Sequence, residues 1–411
     1  MAVTGAMGEV EITTVAGGIT APRGVGAAGV HCGIKRQAPD LTLVASERPA
    51  SVAATCTTNQ MAAAPILVCR RLLPAGRFAA LVANSGNANA CTGGGGLADA
   101  ERMGEIAAAA LGVPAEEVYM ASTGVIGARL PMGKVEAGIR DAAARLSPEG
   151  GREAAAAILT TDTRVKEAAR EVRLPEGSFR VGGMAKGSGM IAPEMATMLA
   201  FLATDLSVPA SLLRTALQEA VAGTFNCITV DGETSTNDMV LAFANGRAGV
   251  PAAAPASPVL AAFGRALQEV CEELACMIVA DGEGATKMVE VRVRGARSPA
   301  EARQIGLRIG NSPLVKTAFF GQDSNWGRIM AALGSAGVPV DPARVAIAVG
   351  DVPIVWGGVG LGAEAERAAN ERMRQSTFSV TVDLGLGSAE CRIWTTDLSE
   401  AYVRINAAYR S

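Results

Sequence analysis

Gly182-Gly183-Met184-Ala185-Lys186-Gly187-Ser188-Gly189-Met190-Ile191-Ala192-Pro193-Glu194-Met195-Ala196-Thr197-Met198-Leu199-Ala200 is the stretch on which the reading of this chain turns. Its many small residues let the backbone approach a ligand, or itself, closely, and Lys186 is a lone cation among them. Two readings are open by pattern. In the plainer one, Pro193 and Glu194 open a helix whose first turns hold Thr197 as an ordinary residue. In the other, the loop carries chemistry, and the chemistry is constrained by what the chain lacks. His31 is the only histidine among 411 residues, so a Ser-His or Cys-His nucleophile pair would have to use that one side chain.

Outward from this stretch, short apolar runs alternate with amphipathic segments and Gly-rich turns, which predicts a mixed α/β chain with many strands. Val259, Leu260, Phe263, Leu267, Val270 and Leu274 recur at helical spacing. Val289, Val291 and Val293 alternate with charged residues, the signature of a half-buried strand. Phe378 to Leu384 and Ala389 to Thr395 flank Gly385-Leu386-Gly387-Ser388 and read as a β-hairpin. The length suits two lobes, or one large α/β unit with an appended lobe, and Val250 to Pro258, rich in Ala and Pro, is the best linker by composition. Hydrophobic residues are 49% of the chain and aromatics 4%, so the core is built from Ala, Val, Leu and Ile. Val230 to Thr234 and Ala280 to Gly284 echo one another and read as strand-to-turn corners that place a carboxylate at a strand end.

Three further segments invite a chemical reading. Gly93 to Gly96 lacks the Lys-Ser/Thr of a phosphate loop and reads as a flexible loop before a helix at Ala98. Ser122-Thr123-Gly124 sits at a strand end, where a hydroxyl and backbone amides can converge on an oxyanion or simply form a turn. Thr160-Thr161-Asp162-Thr163 either lines a pocket with hydroxyls or caps a helix.

A net charge of -3 with interspersed signs gives no field to attract nucleic acid or an anionic membrane. No run approaches the length of a membrane span, and Met1 to Val10 is not a secretory leader, so a cytoplasmic protein is expected. Eight cysteines without a CxxC pair argue against a disulfide framework or a structural metal site.

The chain resembles the ornithine acetyltransferase family, also called glutamate N-acetyltransferases. The resemblance is carried by Ala28-Gly29-Val30-His31-Cys32-Gly33-Ile34-Lys35, Thr57-Thr58-Asn59-Gln60, Asn84-Ser85-Gly86-Asn87-Ala88-Asn89-Ala90 and Ser122-Thr123-Gly124-Val125-Ile126-Gly127. It continues through Thr160-Thr161-Asp162-Thr163, Lys186-Gly187-Ser188-Gly189-Met190-Ile191, Met195-Ala196-Thr197-Met198-Leu199-Ala200, Asp281-Gly282-Glu283-Gly284-Ala285-Thr286-Lys287 and Asn325-Trp326-Gly327-Arg328, in the family's order. These segments span almost the whole chain. Departures are few: Cys56 stands where an aromatic is usual, Ala408 where an acidic residue is usual, and Ser411 in place of threonine.

The resemblance implies a self-cleaving acyltransferase of arginine biosynthesis. It implies an α/β fold in which layered β-sheets lie between helices, shared with self-processing amidases, with a smaller C-terminal lobe. The chain would cut itself between Ala196 and Thr197 into an α chain, 1–196, and a β chain, 197–411, assembled as α2β2 or larger. Thr197 would then be the nucleophile, with its own α-amine as base, since such a group titrates near roughly 7.7 to 8.0. By the same resemblance Thr123 and Gly124 form the oxyanion hole, and Thr160, Lys186, Thr197, Glu283, Asn406 and Ser411 hold the substrates. Charge complementarity pairs Lys186 with the amino-acid carboxylate and Glu283 with an ammonium. The substrates would be N-acetylornithine and glutamate, with no resident cofactor, and acetyl-CoA is a co-substrate of the bifunctional members. Three rivals stand beside this: a self-processing aminopeptidase or amidase of related fold, a hydrolase with Ser188 as nucleophile and Lys186 as base, and a nucleotide-binding regulator built on Gly93 to Gly96 and the Lys186 loop.

Overall fold

The computed structural model describes residues 10–192 and 198–408. Among them, nine strands form one mixed sheet in the order Glu11–Thr14, Lys166–Leu174, Gly177–Lys186, Leu199–Thr204, Met239–Ala244, Leu41–Cys56, Arg77–Asn87, Val118–Val125, with Val25–Val30 paired to Leu41–Cys56. Leu199–Thr204 is a strand, so the helix reading of the decisive stretch fails from Leu199 onward. The start of that helix at Pro193 and Glu194 lies outside the described residues.

The central strands show why. Leu199, Phe201 and Ala203, with Met239, Leu241 and Phe243 beside them, face one core, while Ala200, Leu202, Val240 and Ala242 face another. An unbroken apolar run with period two needs cover on both faces, which a surface helix cannot supply. The two strands run parallel with Leu199 opposite Met239.

Leu41–Cys56 is the strand that shapes the molecule. Its first part pairs with Arg77–Asn87 and its last part with Met239–Ala244, and the register breaks between Ala45 and Ala50, around Pro49. Sixteen residues drawn straight would span about 50 Å. Yet Asn237, before Met239, donates to the carbonyl of Ser122 at 2.7 Å, and Ser122 lies near the opposite end of the sheet. The sheet is therefore folded over on itself at this strand, and its two halves meet at the ends that carry Thr123 and Lys186.

Helices Ala64–Leu72, Gly93–Leu111 and Met132–Ala144 cover one half, and Ala210–Gly223 and Pro258–Ala280 cover the other, so two β layers lie between helices as expected. Gly93 to Gly96 is the first turn of a helix, not a loop before one. Val250 to Pro258 joins Met239–Ala244 to Pro258–Ala280 within this unit, with Ala253 buried and bonded to Ser207, so it is not an interdomain linker.

A second, six-stranded sheet forms the smaller C-terminal lobe, and Pro299–Gly310 packs on its strands Met288–Ala296 and Ala389–Thr396. The predicted hairpin is absent. Met288–Ala296 inserts between Thr377–Asp383 and Ala389–Thr396, pairing parallel with the first and antiparallel with the second. The Gly-rich connection instead wraps the end of the inserted strand, where Leu386 and Gly387 donate to the carbonyl of Gly295. Among the described residues no helix is long and apolar enough to cross a membrane.

Candidate active site

Where the two halves of the folded sheet meet, a cleft opens. Thr123, Gly124, Thr160, Thr161, Lys186, Glu283 and Asn406 all line it, together with Ser235, Thr236 and Asn237. Six of the residues singled out by resemblance are thus gathered from five separate segments. Ala196, Thr197 and Ser411 lie outside the described residues.

Thr123 and Gly124 end the strand Val118–Val125. Gly124 adopts φ +130°, and a Cβ there would sit 2.6 Å from the nitrogen of Asn87, so no side chain fits. The end of the strand is held from behind. Ser122 donates to Asn84 Oδ1 at 2.6 Å, and Asn237 Nδ2 donates to the carbonyls of Ala88 and Ser122 at 2.7 Å each. Lys186 Nζ donates to Thr123 Oγ1 at 3.2 Å, which occupies a lone pair and leaves the hydroxyl proton for another acceptor. Such a donor, fixed before the reaction, is what an oxyanion requires.

Lys186 is buried at the end of Gly177–Lys186. Burial, helped by Lys166, pushes its ammonium below the ordinary value against the opposing pull of Asp162. Asp162 is also buried. It accepts from Lys166 Nζ and Gly187 N at 2.7 Å each and from Thr160 N at 3.0 Å. Burial pushes its carboxyl up, but Lys186 and Lys166 outweigh that and hold it at about 2. Lys166 also bonds Asp281 at 2.6 Å, so one buried network sets the Thr160 and Lys186 walls of the cleft.

Thr160 and Thr161 face the cleft, whereas Thr163 gives its hydroxyl to Asp281. Glu283 accepts from Asn406 Nδ2 at 2.8 Å, so the helix Glu400–Ala408 carries one side of the opening. The paired carboxylate corners are not alike. Asp281 caps the end of a long helix, and Asp231 sits in a loop where it accepts from Met190 N and Ile191 N at 2.6 and 2.8 Å. The Ser188 reading fails: its hydroxyl donates to the carbonyl of Asp281 at 2.7 Å, while Lys186 turns to Thr123.

Ser235, Thr236, Asn237 and Asp238 were not singled out by pattern. The signal that finds them is a polar tetrad set directly against the wholly apolar run Met239 to Ala244, and all four are buried.

If Thr123 is the oxyanion donor that the resemblance implies, replacing it by Ala is expected to lower kcat about 10²- to 10³-fold with KM little changed. Steady-state acetyl transfer by wild type and variant measures it.

Comparison with known proteins places the chain. The ArgJ family matches residues 26–411. An arginine biosynthesis bifunctional protein ArgJ from Symbiobacterium thermophilum is 50% identical over 400 residues, covering 97% of this chain and 99% of that protein. The corresponding protein of Geobacter sulfurreducens is 48% identical, covering 90% of this chain and 95% of its own. Among solved structures, an ornithine acetyltransferase complexed with ornithine from Mycobacterium tuberculosis aligns at 44% identity with a TM-score of 0.42, covering 45% of this chain and 98% of that chain. Matched from residue 26 to its last residue, and half identical to a curated member along nearly all of its length, the chain belongs to the ArgJ family.

Proposed function

We propose that this enzyme carries the acetyl group of N-acetylornithine to glutamate by way of an acetyl ester on Thr197. The observation that supports this most directly is the cleft itself. A hydroxyl and a constrained glycine stand at one wall and a buried ammonium and a carboxylate at the others, Met190 lines the cleft, and Met198 bonds Asp238, the neighbour of the cleft-lining Asn237. Lys186 meets the amino-acid carboxylate and Glu283 an ammonium, so donor and acceptor bind in one pose and share one oxyanion hole. Membership of the ArgJ family makes the chain a transferase of arginine biosynthesis and does not favour the aminopeptidase rival. The relatives are named bifunctional, which supports acetyl-CoA as a second donor for glutamate. No resident cofactor enters this reading. The 1–196 and 197–411 chains would assemble as α2β2 or larger in the cytoplasm.

Turnover is then ping-pong, because ornithine leaves before glutamate takes the acetyl group. Double-reciprocal plots at several fixed glutamate concentrations are expected to be parallel. N-acetylornithine alone should add one acetyl mass to the 197–411 fragment. Intersecting lines with no acetylated fragment under rapid quench would mean direct transfer in a ternary complex. Assays with acetyl-CoA plus glutamate, beside N-acetylornithine plus glutamate, decide between one donor and two.

A further inference from the structure

Asn237 lines the cleft, yet its side chain has no donor left for a ligand. Both hydrogens of Nδ2 go to backbone carbonyls, those of Ala88 and Ser122, at 2.7 Å each, and Oδ1 accepts from Thr236 Oγ1 at 2.5 Å. The residue is 4% exposed, and its neighbours settle how the amide is turned: reversed, it would set an oxygen against two carbonyls that cannot donate. The segment that carries it is itself held. Thr57 gives its hydroxyl to the carbonyl of Ser235 at 2.6 Å, Asn59 Nδ2 donates to the carbonyl of Thr234 at 2.9 Å, and the N–H groups of Ala63 and Thr57 reach the carbonyls of Thr236 and Asp238.

The two carbonyls it holds lie at a weak point. Arg77–Asn87 and Val118–Val125 run parallel in regular register from Ala80 opposite Val118 to Gly86 opposite Gly124, and there the ladder breaks, with Asn87 facing both Thr123 and Val125. Gly124, at φ +130°, presses on the backbone of Gly86 at this same point, where a Cβ would collide with the Gly86 carbonyl carbon. An irregular ladder fixes a strand end less well than a regular one. Ser122 precedes Thr123 and Ala88 follows Asn87, so the Asn237 amide brackets the break with one hydrogen on each strand.

We propose that Asn237 is a positioning residue that fixes Thr123 and Gly124 as a rigid oxyanion wall, by tying the ends of both strands across the break in their ladder. The proposal rests on the reading of Thr123 and Gly124 as the oxyanion hole. Donors aimed at an oxyanion accelerate acyl transfer only if they are already in place when the charge develops, and a displacement on the order of 1 Å is enough to cost about 10²-fold in rate. In the two-chain enzyme proposed above, the wall belongs to 1–196 and its clamp to 197–411, so the wall is braced only while the two are paired.

The test is steady-state acetyl transfer from N-acetylornithine to glutamate by the full chain and by its Thr123→Ala, Asn237→Ala and double variants. Rates are expressed per cut chain from a denaturing gel, and circular dichroism shows that each variant is folded. Asn237→Ala is expected to lower kcat about 100-fold with KM within about 3-fold of wild type. On top of Thr123→Ala it should lower kcat by less than about 10-fold further, because residues that act through one another are not additive. A residue that merely supports the fold would cost the same factor in both backgrounds, and a residue that held substrate would raise KM. Either result, or a wild-type kcat, would overturn the proposal. A near-wild-type kcat in Thr123→Ala would instead remove the oxyanion reading and the clamp with it, whereas a slow Thr123→Ala beside a fast Asn237→Ala discards the clamp alone. If Asn237→Ala does not fold, Thr236→Val keeps the shape and releases only the bond that orients the amide. It is expected to lower kcat about 10-fold, as for one hydrogen bond, and to do so only while Thr123 is present; an unchanged kcat there would overturn the proposal.

Discussion

Thr197→Ala is expected to leave a single 41.7 kDa chain with no acetyl transfer activity. Removal of one hydroxyl would have this double effect because, in the proposed mechanism, the same oxygen shifts the scissile acyl group from nitrogen to oxygen and later carries acetyl in turnover. Ser188 is committed to the carbonyl of Asp281, the hydroxyl of Thr163 to its carboxylate, and His31 bonds Ala38 on a different loop. A denaturing gel and N-terminal sequencing are the measurements. Wild type is expected to yield fragments 1–196 and 197–411, the second beginning Thr-Met-Leu-Ala, and the variant neither. Normal cutting in the variant would place the nucleophile elsewhere.

Asp162→Ala is expected to cost about 3 to 5 kcal/mol of stability, the usual penalty for stranding buried charge. Two ammonium groups depend on this one carboxylate, Lys166 by direct contact and Lys186 by proximity, and both are buried. The loss is large beside a total of about 5 to 15 kcal/mol for a folded protein. The pH dependence has a definite sign. Asp162 is held at about 2, below the ordinary value near 3.9, so its contribution is complete above about pH 4 and disappears as pH falls toward 2. Urea midpoints at neutral pH should differ by that amount, and the gap should narrow in acid. A variant within 1 kcal/mol of wild type at neutral pH would show that water or the lysines' own titration compensates for the missing carboxylate.

What the pattern revealed and what it hid follow from how local each signal is. Pro258–Ala280 and Met288–Ala296 are legible because periodicity reports a face buried by whatever lies opposite. The C-terminal pair misleads because a Gly-rich link between two strands says nothing of a third inserted between them, and that third strand comes from about ninety residues earlier. Gly93 to Gly96 misleads for a different reason: glycine is a poor helix former, and tertiary packing overrides its weak preference. Within the site, Thr123 and Lys186 stand out by pattern as one reading among others and the family resemblance decides for them, while Glu283 is singled out by the resemblance. Asn237 and Asp238 carry no local signature beyond being polar beside an apolar strand, and their importance appears once the folded sheet brings Ser122, Ala88 and Met198 within reach.

The strand order has a consequence for what self-cleavage does to the life of the molecule. Leu199–Thr204 and Met239–Ala244 are flanked on both sides by strands from before residue 193, Gly177–Lys186 at one edge and Leu41–Cys56 at the other. A cut before residue 197 therefore separates the covalent chain but not the sheet, and neither product can leave without tearing two rows of backbone hydrogen bonds. Refolding of an uncut chain is a unimolecular event, but a cut pair, once apart, would have to find one another again. A processed enzyme would then persist by the slowness of its unfolding, and denaturation followed by dilution is expected to cost it more activity than it costs the uncut chain.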